Sequence, residues 1–196
     1  MTGRSGLACG AGLRNLGGVV LFCCAACSPA GESSTPSAEN LSINELSGAG
    51  TEWLELYHSG SGELDLGHYG LTDTDKTTGL PRVDKAMRFP SDTRLAPRGF
   101  LLALLGKSNA APGPYTADAC LPNIESGCFF ATFSISEARG EAIYLVTPDN
   151  EVLLSMNFPA DLAAPAGSNS TVCRLPDGTG DLTTCAPTPG ASNAAP

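Results

Sequence analysis

Two histidines, four cysteines in the C-terminal half and a few turn-borne carboxylates are the side chains of this 196-residue chain best suited to chemistry. His58 and His68, with Asp65 or Asp73 beside them, offer the imidazole and carboxylate donors a divalent transition metal takes. The plainer reading is two partly exposed polar residues flanking a hairpin. Asp73-Thr74-Asp75 and Asp177-Gly178-Thr179-Gly180-Asp181 place carboxylates in turns, where hard oxygen donors suit calcium. Neither follows the twelve-residue calcium loop that ends in Glu, and Asp-Gly turns also arise for backbone reasons alone. No serine lies in a Gly-x-Ser-x-Gly elbow, and no glycine-rich phosphate loop occurs. The expectation is therefore a non-catalytic protein with no cofactor, no metal site and no catalytic residue.

Of the eight cysteines, Cys9, Cys23, Cys24 and Cys27 lie near the N-terminus, leaving Cys120, Cys128, Cys173 and Cys185. An even remainder in an exported chain reads as two disulfides, and four cysteines allow three pairings. Cys120–Cys128 and Cys173–Cys185 are preferred, because each pair brackets a short turn-rich stretch. Those spacings are wider than the two-residue interval of a zinc knuckle, and an oxidising compartment disfavours thiolate ligation.

Export is itself an expectation from the N-terminus. Arg4 and Arg14 precede the apolar run Leu16–Ala26, with no acid among them. That run is short for a membrane span and suits a signal-peptide core. Ala25-Ala26-Cys27 resembles a bacterial lipoprotein signal, which implies cleavage after residue 26 and acylation (palmitate-type chains) of Cys27. Ser28 after the cysteine leans toward the outer membrane and the cell surface. Residues 27–40, rich in Ser, Pro, Ala and Glu, are expected to be a flexible tether.

The formal net charge is −9, and loss of Arg4 and Arg14 would leave nine basic against 20 acidic residues. Such a field repels nucleic acid and anionic headgroups. Contact with the membrane is thus expected only through the lipid anchor. Arg82, Lys85, Arg88, Arg94 and Arg98 are clustered in sequence and read as solvated loops with adjoining strand faces.

The body alternates short apolar runs with turn residues, which predicts an all-β sandwich. Strands are expected at 41–46, 53–57, 64–66, 69–71, 100–105, 129–135, 142–146 and 151–158. Thr72–Asp75 reads as a polar turn. Residues 106–127, rich in Pro, Gly and Asn, read as a long loop stapled by Cys120 and Cys128. A loop of that length is a candidate binding feature or a tolerated insertion.

Several stretches, in order, resemble the lamin-tail domain. They are Ile43-Asn44-Glu45, Glu52-Trp53-Leu54-Glu55-Leu56-Tyr57, Asp65–Asp73, Phe89-Pro90, Leu95–Leu102, Gly140–Leu145, Arg174–Asp181 and Thr188–Asn193. The resemblance covers residues 41–193 and implies an immunoglobulin-like β-sandwich. Bacterial members are exported or surface proteins, alone or beside hydrolase domains. Export, the tether, the fold this resemblance implies and the missing catalytic residues together lead to the expectation of a structural or binding role toward an envelope protein or glycan. The alternative is an accessory domain that recruits a hydrolase or its substrate.

Overall fold

The computed structural model describes residues 34–135, 140–158 and 170–196. The expected signal peptide and Cys27 lie outside the described residues. Thirteen strands are described: β1 (Leu41–Ser47), β2 (Trp53–His58), β3 (Leu64–Asp65), β4 (Gly70–Asp73), β5 (Met87–Arg88), β6 (Arg94–Leu95), β7 (Phe100–Leu105), β8 (Gly113–Tyr115), β9 (Cys128–Ala131), β10 (Glu141–Val146), β11 (Val152–Phe158), β12 (Thr171–Leu175) and β13 (Asp181–Cys185). They form a seven-stranded sheet in the order β13-β12-β1-β2-β7-β9-β8, a four-stranded sheet β11-β10-β4-β5, and a small pair β3-β6. The fold is an all-β sandwich, as the alternating sequence pattern predicts.

Alternation explains which side chains go inside. Leu54 and Leu56 of β2 join Ile43 and Leu46 of β1, Ile143 and Leu145 of β10, and Leu71 of β4 in one buried cluster between the large sheets. Phe89 and Met87 close one side, and Phe133 and Ile135 are buried there as well. The expected strand 129–135 is shorter than its apolar run: only Cys128–Ala131 joins the ladder. Phe133 and Ile135 then enter the core from outside the ladder, where Ile135 N–H donates to Glu52 Oε2 at 2.8 Å.

Three expectations are corrected. Thr72 and Asp73, read as a turn, are buried strand residues paired with Tyr144 and Ile143. Thr72 escapes penalty by donating its hydroxyl to Arg82 O at 2.9 Å. The stretch between Cys173 and Cys185, read as turn-rich, is mostly strand and lies in the β12–β13 hairpin. Its alternation is hidden because Cys173 and Cys185 occupy buried positions as small hydrophobes. Finally, residues 34–40, the distal end of the expected tether, lie on the domain. Ser34 bridges Leu64, Pro36 is buried, and Ser37 N–H is capped by Asn40 Oδ1 at 2.8 Å.

Candidate functional site

The outer face of the seven-stranded sheet is where polar chemistry concentrates, and a bulge in β1 creates it. Ile43 pairs with Leu56 and Glu45 with Glu55, so Asn44 is an extra residue in the ladder. Ile43 and Leu46 remain in the core, while Asn44 and Glu45 are both fully buried polar residues bonded to the C-terminal segment. Without the bulge, strict alternation would put one of them on the apolar side.

Around that bulge the chain end is locked down. Glu45 accepts the Thr188 N–H at 3.1 Å, the Thr188 hydroxyl at 2.8 Å, and the Thr171 hydroxyl. Asn44 accepts the Gly178 N–H and donates to Asp177 Oδ1, each at 2.9 Å. Asp177 Oδ1 also accepts the Asn193 N–H at 3.0 Å. Asn193 in turn donates to Arg174 O at 2.8 Å and to Asn44 O at 3.3 Å. Glu55 accepts the Gly190 N–H at 2.6 Å on Oε2, and its Oε1 has no partner among the described residues. Burial pushes the Glu55 carboxyl up to about 8, opposed by the Gly190 N–H and helped by the Glu45 charge. Glu45 is raised too, by burial, against the bonds from Thr171 and Thr188.

Both disulfides have the expected pairing, and each has a Cα–Cα separation of 5.9 Å. Register places Cys173 across from Glu45 and Cys185 across from Thr171. This pair is fully buried at the root of the C-terminal segment. Cys120–Cys128 has a different setting. It staples the 106–127 segment over Trp53 and Leu102, burying Ile124 and packing Leu121 and Tyr115 beside them. The long loop thus contributes an outer-face cluster and the edge strand β8.

Beside that staple runs a groove of about 270 Å³, lined by Arg94, Phe100, Leu102, Tyr115, Ser126 and Phe129 among others. Its floor is the first half of β7, ahead of the pairing with β9. His58 N–H donates to Gly99 O, and Leu105 N–H to Glu52 O. Alternation therefore turns Leu101 and Ala103 toward β2, and Phe100, Leu102 and Leu104 the other way. β9 covers only Ala103–Leu105 on that side. The backbone of Phe100 consequently faces the groove. Tyr115 stacks on Phe130 at 5.4 Å, which fixes one wall.

The metal candidates do not converge. His58 is fully buried, with Nε2 2.5 Å from Gly62 O and Nδ1 2.8 Å from Asn40 O. His68 is exposed, in the left-handed region at φ 67°. Asp65 pairs with Arg94 at 2.7 Å, and Asp73 with Arg82 at 3.6 Å. Asp75 accepts the Thr77 and Thr78 N–H groups, which hold its carboxyl below the usual range. Asp177 is engaged as described, and Asp181 is exposed at the start of β13. Among the described residues no three His, Cys, Asp or Glu side chains gather as a metal-holding group. The arginines act as separate loop ties: Arg88 reaches Thr147 O, His68 O and Asn150 Oδ1, while Arg98 reaches the Tyr57 hydroxyl.

Sequence reading named the 106–127 segment and the cysteines, but it missed the Glu45–Glu55–Asn193 network. A signal existed: Glu55 alternates with Leu54 and Leu56 in an otherwise apolar strand, where a solvent-facing role is the default assignment. The chain matches no family model and no curated protein.

Proposed function

We propose that this protein is a non-catalytic binding module of the cell envelope, exported and lipid-anchored through Cys27, with an immunoglobulin-like sandwich of the lamin-tail kind. Two disulfides fit an oxidising compartment outside the cytoplasm. The Ala25-Ala26-Cys27 pattern supports the anchor, and the ordered run of sequence likenesses supports the family. Its partner is an envelope protein or glycan, not nucleic acid.

The observation that carries this reading is the groove beside the Cys120–Cys128 staple. Half-exposed Phe100 and Tyr115 offer apolar ring surface, and the Phe100 backbone offers a donor and an acceptor. Such a surface can pair with an extended peptide or stack against a sugar ring. A disulfide and the Tyr115–Phe130 stack hold it in shape before binding, which lowers the cost of association.

The test is crosslinking on intact cells, followed by mass spectrometry, with wild type and Tyr115→Ala compared at equal surface level. One envelope component captured reproducibly, and at least about tenfold less by the variant, is the expected result; tenfold corresponds to ~1.4 kcal/mol. Equal capture by the two would overturn the groove as binding site. Capture of a hydrolase instead would favour the accessory-domain reading.

A further inference from the structure

We infer that residues 186–194 form a proton-operated latch, docked on the outer sheet face while the Glu45–Glu55 pair carries one negative charge and loosened when it carries two. The inference goes beyond the binding role and does not depend on it.

The geometry sets up the asymmetry. Glu45 and Glu55 are directly opposed across the β1–β2 ladder, and both are fully buried. Glu45 has three hydrogen-bond donors on it, from Thr171 and Thr188. Those bonds favour the charged form of Glu45 and offset part of the burial that raises its carboxyl. Glu55 has one backbone donor, Gly190 N–H on Oε2, a smaller contribution from the Asn44 side chain, and an Oε1 that is buried without a partner among the described residues. Two adjacent buried carboxylates cannot both ionise cheaply, so Glu55 holds the proton.

Among the described residues no cation offsets the second charge. From β1, Glu55 faces Glu45, and from the β12–β13 turn it faces Asp177. Its β7 neighbour is Leu102, and Thr188–Asn193 of the segment have no ionisable side chain. Arg174 of β12 is committed to Ile43 O and Gly180 O. In the stapled loop, Ile124 lies at Gly190, and its neighbour Glu125 is exposed and acidic.

The direction follows from linkage. In the docked fold the Glu55 carboxyl stands at about 8 against an ordinary 4.5, chiefly through burial, and undocking readmits water and moves it back toward that ordinary value. Docked and undocked states therefore bind protons alike below about 4.5, and docking weakens progressively as pH rises from there to about 8. The interval caps the change in docked-to-undocked ratio at about three-thousandfold. Undocking also removes Gly190 from Ile124, which links the latch to the segment beside the groove.

The experiment is amide hydrogen exchange by mass spectrometry on the full mature protein, corrected for intrinsic exchange, at pH 5.5 and 8.5. The expected result is that protection of 186–196, relative to β2, falls at least about tenfold in wild type and stays level in Glu55→Gln. Unchanged wild-type protection, or an undiminished fall in Glu55→Gln, would overturn the latch. Should Glu55→Gln not fold, carbon-13 titration of the Glu55 carboxyl in wild type decides. A midpoint above 7 supports the latch and one near the ordinary 4.5 sinks it.

Discussion

Asn193→Ala is the sharpest test of how the chain end is held. The Asn193 side chain is nearly buried and donates to two main-chain carbonyls, Arg174 O at 2.8 Å and Asn44 O at 3.3 Å. The first bond has good length and the second is marginal. Truncation deletes both and leaves acceptors short of partners in a site shielded from water. At roughly 1 kcal/mol net per bond, plus part of the desolvation cost of the stranded carbonyls, the loss comes to about 2–3 kcal/mol. Main-chain contact from Asn193 N–H to Asp177 survives in this variant, so the segment should loosen rather than the fold collapse. Asn193→Asp is the informative companion. It replaces the donor with a carboxylate facing two carbonyls and lying near Asp177. At pH 7 it should cost more than Asn193→Ala, and part of the difference should vanish at pH 4, where protonation restores a donor. Urea unfolding of the mature protein at both pH values measures this. A loss under about 0.5 kcal/mol for Asn193→Ala, or Asn193→Asp tolerated better at pH 7, would refute the account of this network.

Two further outcomes follow from the same face. Gly190 adopts φ 78°, and a Cβ there would come within 3.0 Å of Ile124 Cδ1. Gly190→Ala should therefore cost about 1–2 kcal/mol in thermal or urea unfolding, while an unchanged midpoint would contradict the close approach. The two disulfides should differ in access: Cys120 is half-buried, whereas Cys173 and Cys185 are fully buried. Mild reductant followed by alkylation and peptide mapping should label Cys120 and Cys128 first, with the opposite order counting against the burial assigned to them. Loss of the first bridge should cost about 2–3 kcal/mol, as expected for so short a closed loop.

Apolar alternation was enough to read the sandwich, because Leu54-Glu55-Leu56 and Ile143-Tyr144-Leu145 carry their burial in a period of two. It failed where burial is achieved by other means. β12 and β13 bury cysteine and threonine in place of aliphatic residues, so the pattern looks polar on paper. Residues 34–40 look unable to pack, yet one proline inserts and backbone bonds to Glu63 and Asn40 do the rest. The 106–127 segment reads as a long loop because it is rich in Pro, Gly and Asn. Its one buried large apolar side chain, Ile124, held by a staple, is too sparse a signal for periodicity to register.

The buried acids were the least legible feature, and the reason is physical. A lone Glu in an alternating strand is expected to face water, and only knowledge of what covers that face changes the assignment. Here the cover is the last stretch of the chain, about 140 residues downstream of β1 by the separations of its bonds to Glu45 and Asn44. Glu45 and Glu55 make sense only once Thr188, Gly190 and Asn193 arrive to satisfy them, and those residues are ordinary turn formers until Glu45 and Glu55 are beneath them. Each half is a weak local signal, and their meaning resides in the pairing. The segment docks on a surface built by β1, β2 and the β12–β13 hairpin, so its docking depends on all three. Because that docking buries two opposed acids, it is the contact the latch places under control by pH.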